Sequence, residues 1–468
     1  MITTLRERFP QRQLAPWLIA AAVLVLAALV GQRASSLWLG LLAAGIGGAL
    51  LLAQPVLGLP ALVLAALVVP IEIGTGTDVK LNPASLLLPA LLALWLLDMV
   101  RRRQVRIVPS PANKPLAFFL VASLISLLIG RATWDPMVPV GDNFLLVQLA
   151  QWAIFSFSAG AFWLTANLVK DERRLWRLTA VFLVTGGGLA VLRVLPGVGA
   201  LVEPIATVAL VRSPFWALLT ALAGGQLLFN PRLTRAWRIF LGAVAAASIV
   251  FTFVIQNQVI SHWVGVGAAW GLLIWLRWPR LRMPLVALIV TLAILGLLFP
   301  SIYQFAGGDQ EWNGSGESRL VLITRVVEVT MRNPISGLGP AAYRLYANMR
   351  PIFHRGAYWV QPLVNSHNNY VDLFAHGGLV GLALFTWFVV AFARLGIHLH
   401  HRHRIGFAAG YVNGMLAVGL ASLALMMFAD WILPFVYNIG FPGFQASVLV
   451  WLFLGGLITI DHLGREGS

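Results

Sequence analysis

The 468-residue chain contains no cysteine, and charged residues make up only 11% of it. Without cysteine, disulfides, cysteine-ligated zinc or iron–sulfur sites and thiol catalysis are all excluded. A soluble globular domain typically has about 25% charged and about 45–50% apolar residues. Here hydrophobic residues reach 59%, so the composition is that of a membrane protein and not of a disordered chain.

Acidic residues are scarcer than basic ones, with 17 Asp and Glu against 33 Lys and Arg and a net charge of +16. A nucleic-acid-binding protein would gather such charge on one solvated face. In this chain the basic residues lie between apolar runs. This pattern is typical of positive charge at the cytoplasmic edge of a bilayer, and we expect no nucleic-acid partner.

Fourteen apolar runs approach the length of about 20 residues that a transmembrane helix needs. They are residues 14–31, 37–53, 56–73, 84–100, 115–130, 146–168, 176–195, 212–229, 237–256, 261–277, 284–300, 369–394, 406–429 and 441–460. Only a kink at residues 55–60 separates the second run from the third, and the tenth run is short. We therefore predict an all-α fold, a polytopic membrane helix bundle with 12–14 transmembrane helices.

The distribution of Arg and Lys predicts the orientation of the bundle. With a cytoplasmic N-terminus, the short outer loops hold only a few basic residues, namely Arg33, Lys80, Arg131, Arg193 and Arg212. The inner loops hold many more, as the positive-inside rule requires. Both termini are therefore predicted to be cytoplasmic.

Residues 301–366 are the only long hydrophilic segment, and this orientation places them outside the membrane. Ser318 can cap a helix that runs through Met331, and Pro340 can start a second helix from Ala341 to Met349. We predict that both helices lie on the membrane surface with their arginines available. The chain then divides into an N-terminal bundle (1–300), an extracytoplasmic loop (301–366) and C-terminal transmembrane helices (367–468).

The next helix carries polar residues where it enters the membrane. With Ser366 or Asn365 as the N-cap, His367 falls in the first turn, where the positive end of the helix dipole favours an anionic ligand. The spacing predicts one shared face for a set of polar residues, Asn368, Asp372 and His376. Polar groups at this depth are costly unless they pair or line a cavity, so they are candidate site residues.

Several short motifs in this region together resemble those of the O-antigen ligase and polymerase superfamily. They are Ser318-Arg319, then Asn333-Pro334-Ile335-Ser336-Gly337-Leu338-Gly339-Pro340, then Ser366-His367-Asn368-Asn369-Tyr370, then Gly377-Gly378-Leu379-Val380-Gly381. The resemblance covers about residues 317–395; elsewhere it is limited to many spans and one large outer loop.

The resemblance implies a GT-C-like, metal-independent glycosyltransferase with no cofactor. Such an enzyme moves a glycan from an undecaprenyl-diphosphate carrier to an acceptor hydroxyl at the periplasmic face of the bacterial inner membrane. By position, His367 matches the family's proposed catalytic base and Arg319 one of its diphosphate-binding arginines. The second family arginine is replaced by His262, and Arg212, at the outer start of its helix, is a possible substitute.

The remaining candidates have alternative roles. Arg325 could bind the diphosphate, and so could Arg332, or both could lie on a solvated helix face paired with Glu328. For Asn368, Asn369 and Asp372 the alternatives to substrate binding are capping and helix packing. For both His376 and His262, packing or hydrogen bonding is favoured over ligand binding. Tyr343 is among the loop aromatics that could stack on sugar rings, a set that also contains Trp312, Tyr346, Tyr358 and Trp359.

A neutral imidazole can take a proton from a sugar hydroxyl, which gives inversion if the attack is direct. The outer loops contain no paired acidic motif such as Asp-x-Asp, so we predict no essential divalent ion. A cluster of histidines with arginines, residues 398–404, is interpreted as a cytoplasmic anchor.

Several functions fit these motifs. A ligase that joins glycan to lipid A core in lipopolysaccharide biosynthesis, a polysaccharide polymerase and a protein O-oligosaccharyltransferase share them, and the sequence does not separate the three. A lipid-linked glycan flippase is the alternative outside the enzymes. Transporters of this kind generally have repeated halves and midplane sites, whereas this chain has no visible repeat.

Overall fold

The computed structural model describes residues 45, 47–48, 51, 53–74, 80–294, 319–349, 352–354, 357–359 and 365–466. The predicted helices at 14–31 and 37–53 lie outside these residues, apart from a few positions of the second. The contacts divide the chain into two units, Met1–Gly58 and Leu59–Ser468. The interactions discussed below lie within the second unit.

Helices dominate the described part of the chain. They are α1 (Gly58–Val68), α2 (Pro83–Arg101), α3 (Asn113–Ala132), α4 (Phe144–Leu168), α5 (Glu172–Phe182), α6 (Gly188–Val194), α7 (Gly199–Val202), α8 (Ser213–Phe229), α9 (Arg235–Val250), α10 (Ile260–Arg277), α11 (Arg282–Ile294), α12 (Arg319–Thr330), α13 (Tyr343–Asn348), α14 (Asn369–Arg402), α15 (Phe407–Met426) and α16 (Gly440–Glu466). A π-helical turn at Leu183–Gly187 joins α5 to α6, and another at Phe251–Ile255 extends α9.

Short 3-10 turns and two small antiparallel hairpins complete the described structure. The 3-10 turns are Pro55–Leu57, Val208–Val211 and Pro279–Leu281. The hairpins pair β1 (Ile73–Gly74) with β2 (Lys80–Leu81), and β3 (Ile352–His354) with β4 (Ala357–Trp359). Neither hairpin was predicted from the sequence.

The chain is a polytopic helical membrane protein, as predicted. Eight helices in the described part are long and apolar enough to cross a membrane, and two shorter apolar helices accompany them. Each predicted run between residues 84 and 277 coincides with a helix of the structure. This agreement follows from the requirement that a backbone crossing lipid must form its hydrogen bonds internally.

The core of the bundle is formed by α8, α10 and α15, which pack against one another, and by α16, which packs against α4. Small residues allow close approach. A Cβ atom on Gly225 would lie 2.4 Å from the carbonyl oxygen of Gly410, and one on Gly455 would lie 2.1 Å from the carbonyl oxygen of Phe162. Such contacts are how helices pack in lipid, where burial of apolar area drives little association.

The outer segment differs in part from the prediction. Helix α12 is confirmed, but α13 begins at Tyr343 and not at Ala341. Ala341 has a left-handed backbone with φ of 57° and therefore cannot continue a helix. The arginines of this segment were also predicted to be available, which was wrong for Arg344 on α13, because this side chain is buried.

Candidate functional site

One end of the bundle, which we call the site end, gathers the elements that hold the candidate residues. Helices α3 and α15 finish there, and α8, α10 and α14 begin there. Contacts between distant segments join these elements. Arg332 forms a 2.5 Å ion pair with Asp135, and the Asn368 side chain donates to the carbonyl of Met427.

Residues 334–342, the docking segment, lie against a break in α14. The helix is interrupted at Gly378, where φ is 64° and ψ is −162°. At the break, nearby backbone N–H and C=O groups lose their hydrogen-bond partners within the helix. Backbone groups of the docking segment act as their partners instead. The Leu338 N–H donates to the carbonyl of Ala375, and the Leu379 N–H donates to the carbonyl of Pro334, both at 2.9 Å. The polar backbone thus stays satisfied.

The glycines of the two motifs meet at this break. A Cβ atom on Gly337 would lie 2.5 Å from the backbone nitrogen of Gly378. A Cβ atom on Gly378 would lie 2.1 Å from the carbonyl oxygen of Ile335. Both glycines also have positive φ. The two motifs are therefore packing partners, and each requires glycine at the point of contact.

His367 lies in a tight turn immediately before α14. Its φ of 49° is left-handed, which is uncommon for a residue other than glycine and costs about 1–3 kcal/mol. The Asn368 N–H donates to the Ser366 Oγ at 3.0 Å, and the Asn368 Oδ1 accepts from the Tyr370 N–H at 2.9 Å. Asn368 is therefore the N-cap of α14. The sequence had predicted Ser366 or Asn365 as the N-cap, which was wrong. His367 therefore lies before the helix and not in its first turn.

A buried network fixes the first residue of this turn. The Ser366 hydroxyl donates to the Asp372 Oδ1 at 2.6 Å, and the Tyr343 hydroxyl donates to the same oxygen at 2.9 Å. Ser366 and Tyr343 have no exposed surface, and Asp372 is 3% exposed. Burial and the adjacent Asp372 carboxylate raise the pKa of Tyr343 well above its ordinary value, so the phenol stays neutral and donates.

The environment of Tyr343 excludes a sugar-stacking role for this residue. Its ring stacks on Phe435 with centroids 4.7 Å apart, and it lies 5.5 Å from the ring of His376. The His376 Nδ1 accepts from the Ala341 N–H at 3.2 Å. His376 is buried, so the structure supports the packing interpretation of this histidine.

Asn369 and Asp430 organise the loop between α15 and α16, residues 427–439. The Asn369 side chain accepts from the Ile432 N–H at 3.1 Å and donates to the carbonyl of Leu433 at 2.8 Å. Within the loop, the Asp430 carboxylate accepts from the Phe435 N–H at 2.7 Å. Burial raises the pKa of Asp430, although the hydrogen bonds it accepts oppose this effect.

Arg212 and His262 are brought together at the start of α8 and α10. The Ser213 Oγ lies 2.7 Å from the His262 Nδ1. The Arg212 guanidinium lies over the Trp431 ring, with its carbon 5.6 Å from the ring centroid. His262 is buried, and Arg193 and Arg212 lie near it. We call these two arginines the cationic cluster.

The 427–439 loop connects this cluster to the turn that carries His367. Arg212 lies over the Trp431 ring of this loop, and Asn369, beside the N-cap Asn368, bonds to Ile432 and Leu433. On the other side of the turn, Ser366 bonds to Asp372. The loop therefore lies between Arg212 and the start of α14.

Two of the predicted loop arginines are placed by α12. Arg319 begins this helix, but its side chain lies outside the described residues. Arg325 is largely buried and forms an ion pair with Glu328 at 3.0 Å. Arg325 therefore makes the ion pair with Glu328 that was one of its two predicted roles.

The other loop arginines face protein groups. Arg332 pairs with Asp135, and its guanidinium lies over the ring of Tyr346 at 5.3 Å. Arg344 is buried and donates to the carbonyl of Tyr437 at 3.0 Å. Among the described residues, no group of three or more His, Asp or Glu side chains is arranged to hold a metal ion.

Residues 245–386 match the family described as O-antigen ligase. This part of the chain is similar to that family. No curated protein matches the chain. The similarity supports a membrane glycosyltransferase of the O-antigen ligase or polymerase type. His262, Arg319 and His367 lie inside the matched region, whereas Arg212 and Asp430 lie outside it.

Sequence reasoning missed Asp430, Arg193, and the contacts of Ser366 and Tyr343 with Asp372. Asp430 had a detectable signal, because it is the only acidic residue between Asp372 and Asp461. A lone carboxylate between two apolar runs is costly and therefore indicates a site. The contacts of Tyr343 had no such signal, because this residue reaches Asp372 only once the docking segment has folded.

Proposed function

We propose that the chain transfers a glycan from an undecaprenyl-diphosphate carrier to an acceptor hydroxyl at the extracytoplasmic face, with His367 as the catalytic base. The observation that carries this proposal is the strained turn of His367, held by Ser366 and capped by Asn368, within the region that is similar to the O-antigen ligase family. Left-handed backbones at non-glycine residues concentrate at functional sites.

In the proposed step, the acceptor hydroxyl gives its proton to the His367 imidazole while its oxygen attacks the anomeric carbon. The bond between that carbon and the diphosphate oxygen breaks, and the diphosphate leaves with the electron pair. Direct attack from the opposite face inverts the anomeric configuration. The imidazole must be neutral to accept the proton. No metal ion takes part in this proposal.

The leaving diphosphate needs positive charge. Arg212, with His262 beside it, supplies charge at the edge of the 427–439 loop, and Arg319 and Arg325 are the candidates on α12. A guanidinium binds phosphate through two parallel hydrogen bonds and stays charged when buried. In this proposal, the role of Asn368, Asn369 and Asp372 is to hold the site in place and not to bind substrate. Their polar atoms already form hydrogen bonds with protein groups.

An apolar cavity supports a lipid-linked donor. It has a volume of about 360 Å³ and lies between α10, α14, α15 and α16, with Trp275, Phe388, Leu416 and Ile432 among its lining residues. Ile432 follows Trp431, over which Arg212 lies. A prenyl chain in this cavity would therefore begin beside the cationic cluster. Largely apolar walls are typical of sites that bind such ligands.

The test is a transfer assay with purified protein, an undecaprenyl-diphosphate glycan and three acceptors. Transfer to lipid A core would identify a ligase, transfer to a second donor molecule a polymerase, and transfer to a peptide hydroxyl a protein glycosyltransferase. We expect the ligase reaction. His367→Ala should abolish transfer, and the matched control His401→Ala, at the other end of the bundle, should not.

Two outcomes would contradict the proposal. If the His367→Ala variant still transfers glycan, His367 is not the catalytic base. Movement of the glycolipid across a liposome bilayer, with no transfer to any acceptor, would indicate a flippase instead. Activity should also survive removal of divalent ions with EDTA.

A further inference from the structure

A second cavity lies at the end of the bundle opposite the site end. Its volume is about 470 Å³, and it is formed where α5 and α9 begin and α8 ends. Two arginines and three aromatic residues line it, namely Arg173, Arg232, Trp176, Trp237 and Phe407. Its position at the helix ends places it at the membrane surface.

The two arginines of this cavity are exposed. Arg173 and Arg232 are exposed, and neither forms an ion pair with a carboxylate of the described residues. The nearby Asp171 carboxylate pairs with Arg174 instead, at 3.0 Å. Glu172 also lines the cavity, and its charge acts on His403.

The aromatic residues form a rigid apolar wall beside the arginines. The ring centroids of Trp176 and Trp237 are 5.0 Å apart, and those of Trp176 and Phe407 are 5.3 Å apart, both in edge-to-face geometry. Tryptophan prefers the level of lipid headgroups because its ring is amphipathic. The cavity thus combines cationic side chains with a wall suited to the top of an acyl chain.

The helix starts add to this arrangement. The side chain of Thr234 caps α9 by accepting from the Trp237 N–H at 3.3 Å, and that of Asp171 caps α5 by accepting from the Arg174 N–H at 2.7 Å. Both helices therefore direct the positive ends of their dipoles toward the rim of the cavity.

We propose that this cavity binds the headgroup of an anionic phospholipid that carries free hydroxyls, of the phosphatidylglycerol type. Arg173 and Arg232 would hold the phosphodiester, Trp176 and Trp237 would contact the glycerol backbone, and Glu172 would accept from a headgroup hydroxyl. Basic pockets between transmembrane helices bind anionic headgroups in this way. This site is independent of the proposed glycan transfer.

The test uses the full chain in a non-ionic detergent. Thermal unfolding and native mass spectrometry are measured with phosphatidylglycerol, phosphatidylcholine and soluble glycerol phosphate. We expect phosphatidylglycerol to raise the melting temperature by a few degrees and to remain bound in the mass spectrum. The other two should do neither, because one lacks net charge and the other lacks acyl chains.

The decisive variant is Arg173→Gln/Arg232→Gln, which should bind phosphatidylglycerol at least about tenfold more weakly. The matched control, Arg106→Gln/Arg280→Gln, removes the same charge at the same end but outside the cavity, and it should bind as the wild type does. If both variants lose the same affinity for phosphatidylglycerol, the lipid is attracted by the general positive charge of this end, and the proposed site is wrong. An undiminished shift in the first variant, or an equal shift with phosphatidylcholine or glycerol phosphate, would also overturn the site.

Discussion

The two ends of the bundle use polar residues in different ways. At the site end, Asp372, Asn369 and Arg344 are buried and bonded to other protein groups. At the opposite end, residues such as Arg173 and Arg232 are exposed to the surroundings. Burying a polar group is favourable only when its hydrogen bonds are made. The site end is therefore built for fixed geometry, and the opposite end is built to meet a variable lipid surface.

The largest effect is expected at the turn before α14. His367→Asn should lower glycan transfer by about 10²–10⁴-fold, because the base is lost, while asparagine tolerates the left-handed backbone. The melting temperature should stay near that of the wild type. A transfer assay and thermal unfolding on the same preparation check both statements. Full transfer by this variant would show that the turn is structural only.

The break in α14 should be almost as sensitive. Gly378→Ala places a methyl group against the carbonyl of Ile335 and forces a positive φ on alanine, so we expect destabilisation of about 3 kcal/mol or more. The neighbouring Gly377→Ala is the matched control, because a Cβ there has nothing within 4 Å. Thermal unfolding of the two variants should differ clearly. Equal melting temperatures would contradict the docking described for residues 334–342.

Loss of charge in the cationic cluster should act on the donor. Arg212→Gln should lower transfer by about 10²-fold, and Arg212→Lys should recover part of this loss, since it restores charge without the planar fork. The control Arg332→Gln removes an arginine that pairs with Asp135 and should change transfer far less. Kinetics over a range of donor concentrations measure the difference. A larger loss in Arg332→Gln would move the diphosphate site to the turn that follows α12.

Loss of the hydrogen bonds that support the turn of His367 should have a smaller effect. Ser366→Ala removes the hydroxyl that bonds to Asp372 and accepts from Asn368, which should cost about 1–2 kcal/mol and lower kcat about tenfold with little change in KM. Ser366→Thr keeps the hydroxyl and should restore most of the rate. If both variants lose the same activity, packing and not the hydrogen bonds explains the result.

The smallest effect is expected at the opposite end. Arg106→Gln should change stability by no more than about 0.5 kcal/mol and leave transfer unchanged, because this side chain is exposed. Thermal unfolding and the transfer assay check this. A loss of transfer comparable to that of Arg212→Gln would remove the contrast between the two ends.

The membrane helices could be predicted because a single property, apolar length, determines them. The run predicted at 115–130 became α3 (Asn113–Ala132), and the helix predicted after Ser318 became α12. Ala341 was predicted to be helical, but its backbone is left-handed, and its N–H donates to His376, which lies 35 residues further along the chain.

The candidate site could be predicted only in part. His367 was predicted because a motif lies close to the start of a helix there. The contacts that hold the site join residues far apart in the chain, such as Gln151, whose side chain accepts from the Val436 N–H at 2.7 Å. A pattern within a short window carries no information about such pairs.

The break at Gly378 has a mechanical consequence. The docking segment bonds to both sides of the break, to Ala375 before it and to Leu379 and Val380 after it. Residues 334–342 therefore fix the angle between the two parts of α14. This angle sets the direction in which the helix runs from the turn of His367 toward the apolar cavity.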